Sequence, residues 1–306
     1  MSRPLVSRRA VLGAFALPWL AGCSTPLPLD RRPAGSDGAA AARLYESAEA
    51  HGLAAYRRLT DINISYDGQW RPLIGRIQPV VVDEGFRGSS QERIMPAAGV
   101  VAQAYTGPKG RKQVTWRRGL ANASDPVEVA VWFNGVRSTD AAAENAAALV
   151  AEGYGLVLLG PLWLVDRGLP VEAAGTERVD GRLCDVVGVW MSPGLGRVAT
   201  DRIAVCIDRQ SRLARRLRFT LEGFANTRGA VAEVDTFDHA ERFGVTWPMR
   251  SYERVVHPIA LPAHDWHVTG LDVNRGYRRE DLAGSTFGGA AAAAGAPVPS
   301  IPTRQP

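Results

Sequence analysis

The feature that most constrains the fold is a succession of short alternating segments between residues 62 and 274. At its start, residues 61–67 alternate between polar and apolar side chains, which is the period of a strand with one face on a core. Further runs follow, residues 75–83 among them, and glycine, proline and Asp-Gly or Asn-Gly pairs divide them as in tight turns. Strands joined by short turns pair antiparallel. The pattern therefore predicts a meander of about ten strands, with its first turn at Asp67-Gly68.

Two segments with helical spacing interrupt the strands. Residues 36–59, with Ser36 as N-cap, carry an apolar stripe and predict a helix before the first strand. The stripe consists of Leu44, Ala48, Ala55 and Leu59. The alanine-rich residues 139–152 follow a cap at Ser138 and predict a second helix, which the two glycines just beyond it are expected to end.

Together these elements predict an α+β domain over residues 37–283. Its curved antiparallel sheet would form a half-barrel, and the N-terminal helix and a helical insert would cover the apolar concave face. Residues 156–165 are nearly all apolar, yet they are too few to cross a bilayer, which takes about 20 residues. They form either part of the core or a lid over a ligand cavity. The candidates for such a lid are Leu156, Leu158, Leu159, Leu162 and Trp163.

The N-terminus reads as an export signal. An apolar run ends at Leu20-Ala21-Gly22-Cys23, which looks like a bacterial lipobox, where a signal peptide is cut and the cysteine is acylated. Three arginines precede an apolar stretch, residues 10–20, that is too short for a membrane span. The pattern predicts a signal peptide over residues 1–22 and lipid attachment at Cys23.

The surroundings of the cysteine predict the location of the protein. Ser7-Arg8-Arg9-Ala10-Val11-Leu12 resembles a twin-arginine signal, although an ordinary charged leader looks the same, so both export routes stay open. Ser24 follows the cysteine as in outer-membrane lipoproteins, so we expect a bacterial envelope protein anchored by lipid and facing the periplasm. Residues 23–36 are rich in proline and arginine and read as a tether, and residues 284–306 read as a disordered Gly, Ala and Pro tail.

Charge excludes one class of partner. The net charge of +5 falls to +2 without the three arginines of the leader. Nucleic-acid binding needs a basic surface, so nucleic acid is not an expected partner.

Two cysteines remain beside Cys23, an even number in an oxidising compartment. Cys184 and Cys206 flank the loop at residues 192–201. If that hairpin is centred on Leu195, the two cysteines oppose each other and can form a disulfide. A one-residue bulge would separate them, so a disulfide and two free thiols both stay open.

No catalytic motif stands out, so we expect a protein without enzymatic activity. Asp235, Asp238 and His239 form an acid–base pattern, but no nucleophile accompanies them and their spacing fits the end of a strand. His264 and His267 are three residues apart, which places them on opposite faces of a strand and speaks against a metal site. We therefore expect neither a metal nor a cofactor.

Four stretches of the chain match a known pattern. Residues 50–59 look like a family's first helix, residues 179–186 and 204–209 like its central hairpin, and residues 243–248 like its later turn. On these stretches the chain resembles the LolA/LolB-like superfamily of periplasmic lipoproteins, over residues 43–277. The resemblance implies a half-barrel with a helical lid that binds acyl chains or other hydrophobic ligands. Unlike the soluble carriers, this chain carries a lipobox and is longer, which favours an anchored acceptor or an envelope factor.

The leading hypothesis is therefore a lipid-anchored envelope protein that binds a hydrophobic small molecule or a lipoprotein acyl chain. A scaffold with a filled core that binds another protein is the alternative, and a hydrolase with an unrecognised site is a third. An open apolar cavity under residues 156–165 favours the first hypothesis, a solid core there favours the second, and Asp, His and Ser side chains that converge in a cleft favour the third. The sequence names neither the ligand nor the oligomeric state.

Overall fold

A computed structural model describes Leu27 and residues 31–118 and 127–284. The predicted lipid attachment at Cys23, the signal peptide and residues 285–306 of the predicted tail lie outside the described residues and stay predictions.

One antiparallel sheet of thirteen strands dominates the described part of the chain, and two further strands form a separate hairpin. In chain order the strands are β1 (Ile62–Trp70), β2 (Ser89–Met95), β3 (Val100–Gly107), β4 (Gly110–Arg117), β5 (Glu128–Phe133), β6 (Val136–Arg137), β7 (Val171–Val179), β8 (Arg182–Met191), β9 (Asp201–Asp208), β10 (Ala214–Thr220), β11 (Val231–Phe237), β12 (Ala240–Arg242), β13 (Val245–Trp247), β14 (Arg250–His257) and β15 (Leu261–Val273). Their order across the sheet is β6-β5-β4-β3-β2-β1-β15-β14-β11-β10-β9-β8-β7, and β12 pairs with β13. The pairing of β1 with β15 joins two meanders. One meander runs from β1 to β6, and the other consists of β7 to β11 with β14 and β15.

Helices cover one face of this curved, unclosed sheet. They are α1 (Gly38–Ala50), α2 (Leu53–Tyr56), α3 (Pro72–Ile77), α4 (Pro79–Val82), α5 (Ala141–Leu159) and α6 (Pro161–Leu164), with 3-10 turns at Pro96–Ala98, Val165–Arg167, Ala225–Thr227 and Arg279–Leu282. α1 packs against β7, β8 and β9, whereas α5 packs against β3, β4 and β5, and the main apolar core lies between helices and sheet. The predicted α+β half-barrel is confirmed, and it has more strands than the ten expected.

The N-terminal helix is two helices rather than one. Asp37, not Ser36, is the N-cap of α1, because its carboxylate accepts a hydrogen bond from the amide of Ala39 at 2.8 Å. The chain breaks at Gly52, whose φ is +93° and whose Cβ, if it had one, would lie 2.2 Å from the carbonyl oxygen of Gly244. Only glycine permits this backbone and this approach, so the helix cannot run on to residue 59.

Two other predictions about elements were wrong, and one strand was not anticipated. Asp67-Gly68 lies inside β1 and makes no turn. Residues 75–83 belong to α3 and α4, because Pro72 and Pro79 occupy the first helical positions, where proline's fixed φ suits a helix. β7 was not anticipated, since within it only the two terminal valines are buried.

The second helix is longer than the sequence suggested. α5 begins after Asp140, whose carboxylate caps the amide of Ala142 at 2.9 Å, and it continues through Gly153 and Gly155. Among the described residues α5 is the helix long and apolar enough to cross a membrane, but 67% of its apolar window is buried inside the protein. It is therefore placed here as the central helix of the core.

Both ends of the described chain cover the outer face of the sheet. Leu27, from the predicted tether, is 2% exposed and packs in a small cluster with Cys184 and Cys206. At the other end, Leu282 packs against alanines and a valine of β3. The polar side chains at the start of β1, Asn63 and Ser65, are buried as well, whereas Asp67 is exposed. Just before β1, Asp61 accepts amide hydrogen bonds from the segment that follows β15.

The two cysteines, for which the sequence left a disulfide and two free thiols open, are not placed for a disulfide. β8 and β9 pair Cys184 with Asp208 and Cys206 with Val186, so the two cysteines are diagonal rather than opposed. Diagonal positions are about 7–8 Å apart, too far for a disulfide without backbone movement. Both thiols are free and buried.

Candidate functional site

A cavity of about 290 Å³ lies between the concave face of the sheet and the helices α3, α4 and α5. The helices contribute Ile74, Val81 and Val157 to its wall, and the sheet contributes Phe219 and Val255. Nearly all of its lining is aliphatic or aromatic, so we call it the apolar cavity.

The apolar cavity opens to the surface. Its lining includes Ile77 of α3 and Ile259, which follows β14, and these side chains are 40% and 60% exposed. Single exposed apolar side chains are ordinary, but apolar side chains grouped around one groove are typical of a ligand-binding site. They give the cavity a rim that an apolar ligand can cross without meeting a charge.

A glycine of α5 extends the cavity to the helix backbone. Gly153 lines the cavity, and a Cβ atom built on it meets no atom within 4 Å. Leu149 and Val157, one turn away on either side, lie on the same helix face and line the same space. A larger side chain at position 153 would therefore occupy the cavity without a clash at its first atom.

Two polar groups in this apolar wall have no hydrogen-bond partner among the described residues. One is the carboxyl of Glu253 in β14, for which burial raises the pKa to about 7 against the opposing charge of Arg87. The other is the indole N–H of Trp70. Both residues pair with His264 in the ladder, so the three form a row across β14, β15 and β1.

His264 is held in place by rings. Its imidazole stacks between Trp70 at 4.1 Å and Trp266 at 4.6 Å, and its Nδ1 lies 3.2 Å from the hydroxyl of Tyr154 in α5. Burial and the charge of Arg87 keep the pKa of His264 well below its usual value, so the ring is neutral. His267 is exposed, and the two histidines do not meet, as their spacing predicted.

A buried ion cluster fixes the wall that α3 and α4 form. Lys112 of β4 is 1% exposed and places its Nζ 2.7 Å from both carboxylate oxygens of Asp83, the residue that ends α4. Arg87 donates to Asp83 at 3.3 Å and to the hydroxyl of Tyr154 at 3.2 Å, and it lies over the ring of Tyr105 at 4.3 Å. The short helices are thereby tied to both the sheet and α5.

A second cavity, of about 380 Å³, lies beside α2, α6 and the end of β4. Its lining includes Trp116, Trp163 and three arginines, Arg57, Arg118 and Arg167, so we call it the arginine-rimmed cavity.

Carboxylates hold these arginines in place. Glu152 of α5 is 0% exposed and binds Arg118 at 2.8 Å, Arg167 at 3.0 Å and the amide of Gly196 at 2.9 Å. On the rim, Arg57 makes two hydrogen bonds, of 2.5 and 3.1 Å, to the carboxylate of Asp166.

The five lid candidates lie elsewhere than the apolar cavity. Leu156, Leu158 and Leu159 are buried in the main core, whereas Leu162 and Trp163 line the arginine-rimmed cavity. A role as a lid stays a prediction for all five. The cavity residues that the sequence analysis missed come from α3, α4, α5 and five strands. The available signal was Gly153, a glycine at the end of a helical pattern.

The side chains of Asp235, Asp238 and His239, the acid–base pattern in the sequence, do not converge on one site. Asp235 binds Arg216 and Arg254, and Asp238 binds Arg250 at 3.1 Å. His239 faces Arg215, whose Nη1 lies 3.2 Å from its Nδ1. Within residues 31–118 and 127–284 no three His, Cys, Asp or Glu side chains are grouped as metal ligands.

Several solved structures resemble this one at low sequence identity. A DUF1329 family protein from Desulfovibrio piger is 10% identical with a TM-score of 0.48, over 80% of this chain and 96% of that one. A putative outer membrane lipoprotein-sorting protein domain from Vibrio parahaemolyticus is 8% identical with a TM-score of 0.46, over 78% and 97% of the two chains. A LolA superfamily protein from Nitrosomonas europaea is 8% identical with a TM-score of 0.47, over 80% and 97%. No family model and no curated protein matches the chain.

Proposed function

We propose that this protein is a lipid-anchored component of the bacterial cell envelope that binds a hydrophobic ligand in the apolar cavity. The ligand is a hydrophobic small molecule or the acyl chain of a lipoprotein. The single observation that carries the proposal is the cavity itself, an apolar space with an apolar rim in the concave face of a half-barrel.

The dimensions and chemistry of the cavity support this ligand class. Its volume is close to the lower end of the range for small-molecule pockets, about 300–1,000 Å³, which suits one apolar chain rather than a bulky ligand. Burial of apolar surface contributes about 25 cal/mol per Å². Glu253 and Trp70 offer an acceptor and a donor, so a neutral group such as a hydroxyl at one end of the chain is accommodated.

The scaffold alternative predicted a solid core under residues 156–165, and Leu156, Leu158 and Leu159 are buried in the main core. The space beside Gly153 is different, because it is lined by three helices and five strands and opens to the surface at Ile77 and Ile259. This geometry favours binding of a small apolar group over a purely structural role.

A dye titration tests the ligand site. The full chain carrying Cys23→Ala, which cannot be acylated at that position, is titrated with the uncharged apolar dye Nile red, followed by displacement with 1-dodecanol. Gly153→Leu, which fills the cavity, is expected to weaken dye binding by tenfold or more, whereas Gly153→Ala leaves most of the space and binds nearly as well as the parent. Equal binding by the leucine and alanine variants, or no saturable binding by the parent, contradicts the proposal.

The anchor is tested separately. Labelled palmitate supplied to cells is expected to enter the wild-type protein and not Cys23→Ala, because the thiol of Cys23 is the proposed attachment site. Equal labelling of the two proteins would remove lipid anchoring from the proposal without touching the ligand site.

A further inference from the structure

The arginine-rimmed cavity has a chemistry of its own. Its wall combines apolar surface, including Leu59 and Leu162, with the three guanidinium groups of Arg57, Arg118 and Arg167. Two carboxylates pair with these arginines, so one positive charge is left over in the neighbourhood of the cavity.

Three residues of the cavity wall each carry a buried donor without an acceptor. The indole N–H groups of Trp116 and Trp163 and the Nε–H of Arg118 are buried, and within the described part of the chain none has a hydrogen-bond acceptor. A buried donor that lacks an acceptor costs about 1–3 kcal/mol, and nearly all such groups in folded proteins are satisfied. Three such donors in the wall of one cavity favour a ligand that brings a hydrogen-bond acceptor.

The two tryptophan rings of this cavity each lie next to a guanidinium group. Arg167 lies 4.8 Å from the ring centroid of Trp163, and Arg118 lies 5.8 Å from that of Trp116. Each indole therefore has a guanidinium on its face, which keeps the positive charge next to the unpaired N–H groups. Both arginines are themselves fixed by Glu152, so the donors are held in place before a ligand arrives.

We infer that the arginine-rimmed cavity is a second binding site, which takes the oxyanion of an acidic amphiphile, with its apolar body against the leucines and tryptophans. The oxygens of a carboxylate or phosphate supply the missing acceptors, and their charge offsets the excess guanidinium. This site is separate from the apolar cavity, because the two share no lining residue. The inference goes beyond the proposed function, because a neutral apolar ligand supplies neither the hydrogen-bond acceptors nor the negative charge that this cavity favours.

Matched small ligands test the inference on the full chain carrying Cys23→Ala. Calorimetry compares 2-naphthoate with 2-naphthalenemethanol, which has the same ring system without the charge. The acid is expected to bind at least tenfold more tightly. Trp163→Phe and Trp116→Phe keep the apolar ring but remove one N–H each, and each is expected to reduce this preference severalfold. Trp132→Phe, at a tryptophan that lines neither cavity, serves as the control and leaves the preference unchanged.

A spectroscopic readout guards against variants that fold poorly. In the parent protein, two indole N–H resonances are expected to move downfield with 2-naphthoate and to stay in place with the alcohol. Gly153→Leu is expected to leave both readouts unchanged, so failure here is distinguishable from failure of the apolar site. A parallel titration with 2-naphthyl phosphate distinguishes the acid groups, since the tighter acid identifies a phosphate or a carboxylate. No binding of either acid, equal binding of acid and alcohol, or a preference that survives both phenylalanine variants overturns the inference.

Discussion

The two cavities share no lining residue, and they differ in the polar groups that their walls leave without partners. The apolar cavity offers one acceptor and one donor, on Glu253 and Trp70. The arginine-rimmed cavity offers donors only, on Trp116, Trp163 and Arg118. Their volumes are similar, about 290 and 380 Å³, so volume does not set the ligand class. The polar groups without partners set the ligand class, because a ligand that forms hydrogen bonds with them removes the cost of leaving them buried and unpaired.

Adjacent residues of α5 show how one helix serves both sides. Glu152 points to the arginines, whereas the neighbouring Gly153 lines the apolar cavity. Consecutive residues of a helix are about 100° apart around its axis, so neighbours along the chain face different surroundings. Substitutions along this helix therefore separate the two sites.

The largest expected effect comes from removing the carboxylate that holds the arginines. Glu152→Ala leaves Arg118 and Arg167 buried without their anion, and loss of one partner of a buried ion pair costs about 3–5 kcal/mol. Urea unfolding measures this loss. The control is Glu144→Ala on the same helix, whose partners Arg137 and Arg197 are partly exposed and whose loss costs less than about 1 kcal/mol. Similar losses for both variants would mean that Glu152 is not the anchor of this cavity.

A smaller effect, on the order of 3 kcal/mol, is expected from the titration of Glu253. Its pKa is about 7 in the folded protein against an ordinary value of 4.5. The folded state therefore holds this proton where the unfolded chain has released it, and the stabilisation that is full below pH 4.5 is lost as the pH rises to 7.

Glu253→Gln isolates this titration from that of other buried carboxyls. Glu92 and Asp201, whose pKa values burial raises to about 8 and about 7, titrate in both proteins. The glutamine variant is expected to gain stability relative to the parent between pH 4.5 and 7.5, and its affinity for Nile red is expected to stay level, whereas that of the parent falls above pH 7. Parallel pH profiles of the two proteins would show that Glu253 is solvated rather than part of the apolar wall.

The smallest effect separates two glycines on the same helix. Gly153→Leu enters open space, and removal of a helical glycine stabilises by up to about 1 kcal/mol. At Gly155 the first side-chain atom would already lie 3.4 Å from the ring of Trp163, so Gly155→Leu overpacks the core and costs about 1–3 kcal/mol. Thermal unfolding compares the two variants. A cost of the same size at both positions would indicate that the space beside Gly153 is closed in solution.

The sequence allowed much of the sheet to be predicted, because period-two alternation survives wherever one face of a strand packs on the core. It failed at α3 and α4, where valines and isoleucines look like a strand but prolines begin two short helices. The cavity was harder to predict than the sheet. Alternation marks the residues of the concave face, but whether a helix covers them depends on contacts between segments far apart in the chain. Phe219 and Val255 would be equally apolar whether a helix packed directly on them or left a cavity above them. The apolar run at residues 156–165 belongs to the main core and to the wall of the arginine-rimmed cavity, so it did not locate the apolar cavity.

The most direct test of the central claim is to locate a bound chain. Crystals of the full chain carrying Cys23→Ala are soaked with 12-bromo-1-dodecanol, and the bromine is found by its anomalous scattering. The hydroxyl of this alcohol can donate a hydrogen bond to Glu253 and accept one from the indole N–H of Trp70, and its alkyl chain can pack against the apolar wall. The bromine is expected between α5 and the sheet, in contact with cavity residues such as Val157 and Phe219. Bromine found in the arginine-rimmed cavity, or on the outer surface alone, would contradict the assignment of the apolar cavity as the ligand site.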